Sequence, residues 1–211
     1  MKRLMLSGVM ATALVAFAAA PAHAVTLSQG HADAVDVNWV NNSFSVKVFD
    51  DTVSPGVERD PATVTLSAPA AAKTTVPSGS SYAFLGNPGD TVWILPQTQK
   101  SGLLWLGWNT LGVPSGVLQN NNLQLKLTGM SGPNGFSVYT VGTFGAVTKW
   151  FDSEDGMPDS RTLNVNAHGH VNWAVEAAGT YTVTFEVTGV RASDGATVSS
   201  GPVNYTFVAT N

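Results

Sequence analysis

Cysteine is absent from all 211 residues. No disulfide can support this fold, so its stability must come from buried apolar area or from a bound ion. Positive charge is scarce: 10 Lys and Arg stand against 14 Asp and Glu, a net charge of −4. That balance supplies no basic stripe for a nucleic acid, and it disfavours an anionic membrane surface for the same reason. Helical periodicity is missing too. Past the first 24 residues no window sustains apolar spacing at i, i+3, i+4 and i+7 beyond a turn, and 21 Gly and 11 Pro punctuate the chain. The motifs that helices carry go with them: there is no H-E-x-x-H pair, no G-x-S-x-G elbow and no thiol nucleophile. A non-enzymatic protein is expected.

Long apolar runs are confined to the start. Lys2 and Arg3 precede an apolar run over residues 4–20, followed by Pro21 and an Ala22-His23-Ala24 end. This is the pattern of a secretory signal cleaved after Ala24, because the peptidase accepts only small side chains at those positions. The run is too short and too poorly flanked for a membrane anchor, so no transmembrane segment is expected after cleavage. The mature chain would begin at Val25 with a net charge of −6 and three histidines. Its length suffices for a real core, since a domain of ~150 residues buries roughly 70% of its extended-chain surface.

Alternation of apolar and polar residues fills the rest. Val35, Val37 and Trp39 alternate, Asn41-Asn42 makes a turn, and Phe44, Val46 and Val48 alternate back, which is a hairpin signature. The same pattern recurs at residues 91–95, 123–127, 136–141, 180–187 and 203–208. Tyr181, Val183, Phe185 and Val187 share one face of such a strand, with threonines and Glu186 on the other. These features predict an all-β protein, an antiparallel two-sheet β-sandwich of immunoglobulin-like or jelly-roll kind. One domain over residues 25–211 is expected. Residues 67–81 read either as a linker or as a long edge connection.

Two of the four histidines fall in HGHVNW, residues 168–173. In a continuous strand His168, His170 and Asn172 project from one face, while Val171, Trp173 and Val175 project from the buried other. Imidazoles at i and i+2 can converge on one cation, but two ligands rarely hold a metal against water. His31, in GHADA, is the one remaining mature histidine. A His31, His168, His170 set would suit Zn2+ first and copper second, with Asp33 as a possible additional ligand and Asp152 or Glu154 as weaker candidates. Nitrogens on one Zn2+ must lie only a little over ~3 Å apart. His31 shares parity with Val35 and Trp39, so a bend at Gly30 is required to turn it away from the core. The ordinary alternative is a pair of exposed imidazoles at a strand end with His31 unrelated.

Residues 92–110 carry Trp93, Trp105 and Trp108. Trp93 and Trp105 are expected to fill the core, whereas Trp108, between Gly107 and Asn109, is the candidate for exposure. An exposed Trp108 with Asn109 would offer a stacking surface for carbohydrate or protein, the function of a structural or adhesive surface module. The acidic stretch FDSEDGMPDSR, residues 151–161, lacks the oxygen spacing of a calcium loop and reads as a solvated turn.

Several blocks together carry a resemblance. GHADA (30–34), FLGNPGDTVWILPQ (84–97), WLGWNT (105–110), HGHVNWAVEAAGTYTVTFEVTG (168–189) and SSGPVNYTF (199–207) resemble the bacterial choice-of-anchor M domain. The last two blocks resemble the surface-anchored repeat that accompanies metal-type ABC transporters. The resemblance implies an exported, surface-associated domain linked to metal uptake, with a metal ABC transporter component as a partner. It matches His31, His168, His170, Asn172 and Trp173 by position. The pattern's aromatic and proline after N-W are here Val175 and Ala178, and the chain ends in VNYTFVATN without a sorting motif. A secreted, periplasmic or cell-surface location is therefore expected.

Overall fold

The computed structural model describes residues 25–211; the expected signal segment, residues 1–24, lies outside the described residues. Extended chain dominates. The strands are β1 (Val25–Leu27), β2 (Gly30–Val40), β3 (Ser43–Asp50), β4 (Val57–Arg59), β5 (Val64–Ala68), β6 (Lys73–Thr75), β7 (Thr91–Leu95) and β8 (Leu104–Gly112). They continue as β9 (Asn122–Ser131), β10 (Phe136–Val141), β11 (Val147–Asp152), β12 (Asp159–Asn164), β13 (His168–His170), β14 (Asn172–Val175), β15 (Gly179–Val190) and β16 (Thr197–Ala209). Every segment read as a strand from alternation is one. The β2–β3 turn is made as expected, with Asn41 and Asn42 at φ 51° and 60° and Trp39 paired to Phe44.

The chain is an all-β sandwich, but hydrogen bonding divides it into three sheets rather than two. The first runs β1-β5-β16-β15-β9-β12, the second β11-β10-β14-β7-β6 and the third β13-β8-β2-β3-β4. Most pairs are antiparallel; β1 with β5, β5 with β16 and β2 with β8 are parallel. Parallel neighbours need a long crossover, and the chain between β2 and β8 supplies one by passing through the first and second sheets. Residues 67–81 form part of it, as the end of β5, a 3-10 turn at Ala70–Ala72, and β6.

A shared core lies between the sheets. Val35 and Leu106 of the third sheet, Trp173 and Phe136 of the second, and Phe185 and Phe207 of the first belong to it. Each such side chain contributes roughly 1.5–3 kcal/mol on full burial. Trp173 stacks on Phe207 at 5.8 Å, and its Nε1 donates to the Leu106 carbonyl at 3.1 Å, which ties the second sheet to the third.

Two local irregularities decide what faces outward. Along β2, Asp33 pairs with Gly107 and Val35 with the very next β8 residue, Trp108, so Ala34 is an extra residue. The β3 side agrees, since Asp33 pairs with Phe49 and Asp36 with Lys47. This bulge inverts the side-chain parity. Val35 and Val37 point to the core, while His31 and Asp33 point away from it. The redirection expected at Gly30 is therefore made three to four residues later. The second irregularity is at Val171. Residues 168–173 are not one strand: β13 pairs with β8 in the third sheet, and after Val171 the chain joins the second sheet as β14. Asn172 consequently does not share the face of His168 and His170. It is buried, donating to Tyr139 O at 3.3 Å and Gln97 Oε1 at 2.8 Å and accepting from the Gln97 N–H at 2.9 Å.

Candidate metal centre

The outer face of β8 is the floor of the site. Leu104 and Leu106 point into the core, so alternation sends Trp105, Gly107 and Asn109 the other way. β2 flanks this row on one side and β13 on the other. Register places His31 beside Trp105, and Asp33 and His170 on either side of Gly107, with His168 beside Asn109. The three histidines meet. One donor nitrogen from each lies within 4.8 Å of the other two. Ring centroids are 4.8 Å apart for His168 and His170, 5.2 Å for His31 and His170, and 5.7 Å for His31 and His168. Closure on a Zn2+ ion would draw the donors inward, to about 3.3 Å at bond lengths of ~2.0–2.1 Å.

Gly107 makes the convergence possible. A Cβ there would fall inside any allowed distance of Asp33 Oδ1 and only 3.1 Å from His170 Cε1. The absent side chain is the space that the carboxylate and the imidazole share. Gly169 does the same on the reverse face, where a Cβ would approach the Trp108 ring at 3.0 Å.

The hydrogen bonds orient some rings and leave others free. Asp51 Oδ2 is 3.2 Å from His31 Nδ1, so a proton on Nδ1 is held by the carboxylate and Nε2 is left with its lone pair. His31 Nε2 is buried without a hydrogen-bond partner. Asp33, 2% exposed, brings Oδ1 to 2.8 Å from His168 Nε2 and accepts from Asn109 Nδ2 at 3.3 Å through Oδ2. His170 lies flat on Trp105, with centroids 3.7 Å apart and planes 9° from parallel, and both its ring nitrogens are buried without a partner. Burial pushes its pKa down to about 4, and the neighbouring His168 and His31 add to the shift. A neutral imidazole with no hydrogen bond is a group prepared to donate its lone pair.

Trp105 reverses its expected place: it does not fill the core but walls the site, with Nε1 donating to Gln97 O at 2.9 Å. The parity of Leu104 and Leu106 was the signal for it. Trp108 also departs from expectation. It faces inward, packs against the core and Gly169, and has its Nε1 buried, while Trp93 is in the core as expected. Asn109 is engaged by Asp33 and by the Leu111 N–H at 2.8 Å. These two residues therefore form no exposed platform. Asp152 and Glu154 lie away from the histidines: Lys149 Nζ pairs with Asp152 at 3.0 Å and with Asp155, and the Asp152 N–H donates to Asp159 Oδ2 at 2.6 Å. The acidic turn is thus folded around a lysine. Asp51, Trp105 and Gly107 are the site residues that sequence reasoning missed.

No family model and no curated protein matches the chain. Among solved structures it is similar to the ASH / PapD-like domain 7 of human CEP192, with 12% identity over 43% of this chain. The match spans 64% of that chain, less than two thirds of it, with a TM-score of 0.22.

Proposed function

We propose that this protein is an exported β-sandwich that binds a transition-metal cation through His31, His168 and His170, Zn2+ first and copper second, as an accessory to metal uptake. One observation carries the reading. Three histidines from two strands, His31 of β2 and the His168, His170 pair of β13, bring donor nitrogens within 4.8 Å while His31 Nε2 and both nitrogens of His170 are buried with no partner. Buried polar atoms ordinarily find a hydrogen bond, and a bound cation satisfies lone pairs that nothing else does. Imidazole nitrogen suits Zn2+ and copper, and no thiolate is available to favour a softer ion. Export follows from the signal pattern of residues 1–24, and the transporter component as partner follows from the family resemblance.

Titration of the metal-free protein with Zn2+ in a competing chromophoric chelator tests the reading. One saturable site is expected, and His170→Ala should abolish it. No saturable uptake by the wild type, or uptake unchanged in His170→Ala, refutes it.

A further inference from the structure

Three imidazoles leave one place in a tetrahedral shell, and what fills it decides whether the centre can do chemistry. Open sites built from three histidines keep that place for water, which the metal then acidifies. Here a carboxylate borders it. Asp33 is almost completely buried, and among the described residues no Lys or Arg pairs with it. Its companions are His168, His31 and Asn109. Burying a carboxylate is costly without a compensating charge, and a cation at the histidines supplies one. Distances agree. Asp33 Oδ1 is 2.8 Å from His168 Nε2 and 3.7 Å from His31 Nε2, on either side of the ~3.3 Å that separates two donors on one Zn2+ ion. The third histidine is brought in by Gly107, whose missing side chain is bordered by both Asp33 Oδ1 and His170 Cε1.

We propose that Asp33 Oδ1 is the fourth ligand, so that three histidines and one aspartate form a closed shell holding a divalent cation with no exchangeable position. This rests on the three-histidine reading and deepens it. A closed shell has no site for a substrate or an activated water, so the centre holds and releases its ion instead of using it. Three neutral imidazoles and one carboxylate leave a single positive charge on a divalent ion. The hard carboxylate oxygen favours Zn2+, Co2+ or Cu2+ over monovalent copper.

The test uses the Co2+-loaded protein, whose visible bands report geometry and ligand exchange. Intense tetrahedral bands that do not move in excess azide are expected. In Asp33→Ala, azide should enter the vacated position and shift the bands, and Co2+ affinity should fall by about tenfold or more, the range seen when even outer partners of ligands are removed. Asp33→Asn provides a second variant if the alanine form does not fold, and the wild-type azide titration stands without either. Bands that respond to azide in the wild type overturn the closed shell, as does a folded Asp33→Ala as indifferent to azide as the wild type. These results differ from failure of the underlying reading, in which neither Co2+ nor Zn2+ binds saturably at all.

Discussion

Gly107→Ala adds one methyl group to the centre of the floor, and its consequences can be worked through from geometry. The backbone at 107 has no positive φ, so alanine is tolerated there conformationally. Replacing glycine inside a strand should even gain about 0.5–1 kcal/mol of chain entropy. The steric term has the opposite sign. The new Cβ collides with Asp33 Oδ1 and comes within 3.0 Å of Gly169 O and 3.1 Å of His170 Cε1. Overpacking of this kind costs ~1–3 kcal/mol, so the metal-free variant should be less stable by roughly 0–2.5 kcal/mol, a fall of roughly 0–10 °C in melting temperature that the metal-free melt measures directly. Metal binding should suffer far more, because the methyl displaces two donors at once. At a Zn2+ concentration of about 100 times Kd the wild type gains ~2.7 kcal/mol, or roughly 5–11 °C in a chain of this size. Gly107→Ala should lose most of that shift. The assay is a thermal melt with and without Zn2+, paired with a chelator titration. Gly129→Ala, where a Cβ meets nothing nearer than 3.4 Å, is the control. A Gly107→Ala protein with wild-type affinity for Zn2+ would refute the placement of the donors around that space.

Further expectations concern the residues around the ligands. Asp51→Ala removes the carboxylate that holds His31 Nδ1, so Zn2+ affinity should drop about 10–100-fold while the stoichiometry is unchanged. The Trp105 ring lies on His170, so Zn2+ should change the indole emission, and Trp105→Leu should remove that change with little effect on stoichiometry. The metal-free protein should lose stability on acidification. His170 has a folded pKa of about 4 against an ordinary 6.5, so its contribution is complete above 6.5 and is lost as pH falls toward 4. Chemical denaturation of His170→Leu across that window should show a flatter decline than the wild type, and equal slopes would contradict it.

The parts of the molecule governed by local alternation were readable from the chain. Asn41-Asn42 announces its hairpin because positive φ at both turn positions suits asparagine, and Tyr181 to Val187 names its own buried face. The shared face of His168 and His170 was readable for the same reason. What escaped were the places where alternation breaks. Nothing in Ala34 marks it as a bulge, yet that one residue turns His31 and Asp33 outward. Nothing in Val171 announces a change of sheet, so Asn172 was grouped with histidines it does not accompany. Asp51 was invisible for a further reason, since its place beside His31 depends on β2–β3 register beyond the bulge. Trp105 and Trp108 were exchanged in role because the tripeptide around Trp108 looks polar, although parity counted from Leu104 and Leu106 places the ring inside.

Between Asn164 and Asn172 the polypeptide leaves the first sheet, crosses the third as β13 and enters the second, with three residues spent on one step and one on the next. Few segments here can be so intolerant of a change in length. An inserted residue before His168 would turn both imidazoles to the face where Trp108 lies under Gly169, and one after His170 would misalign Trp173 with its indole acceptor. Library selection for tolerated insertions should therefore leave this stretch blank while accepting additions at exposed turns such as the one around Gly195.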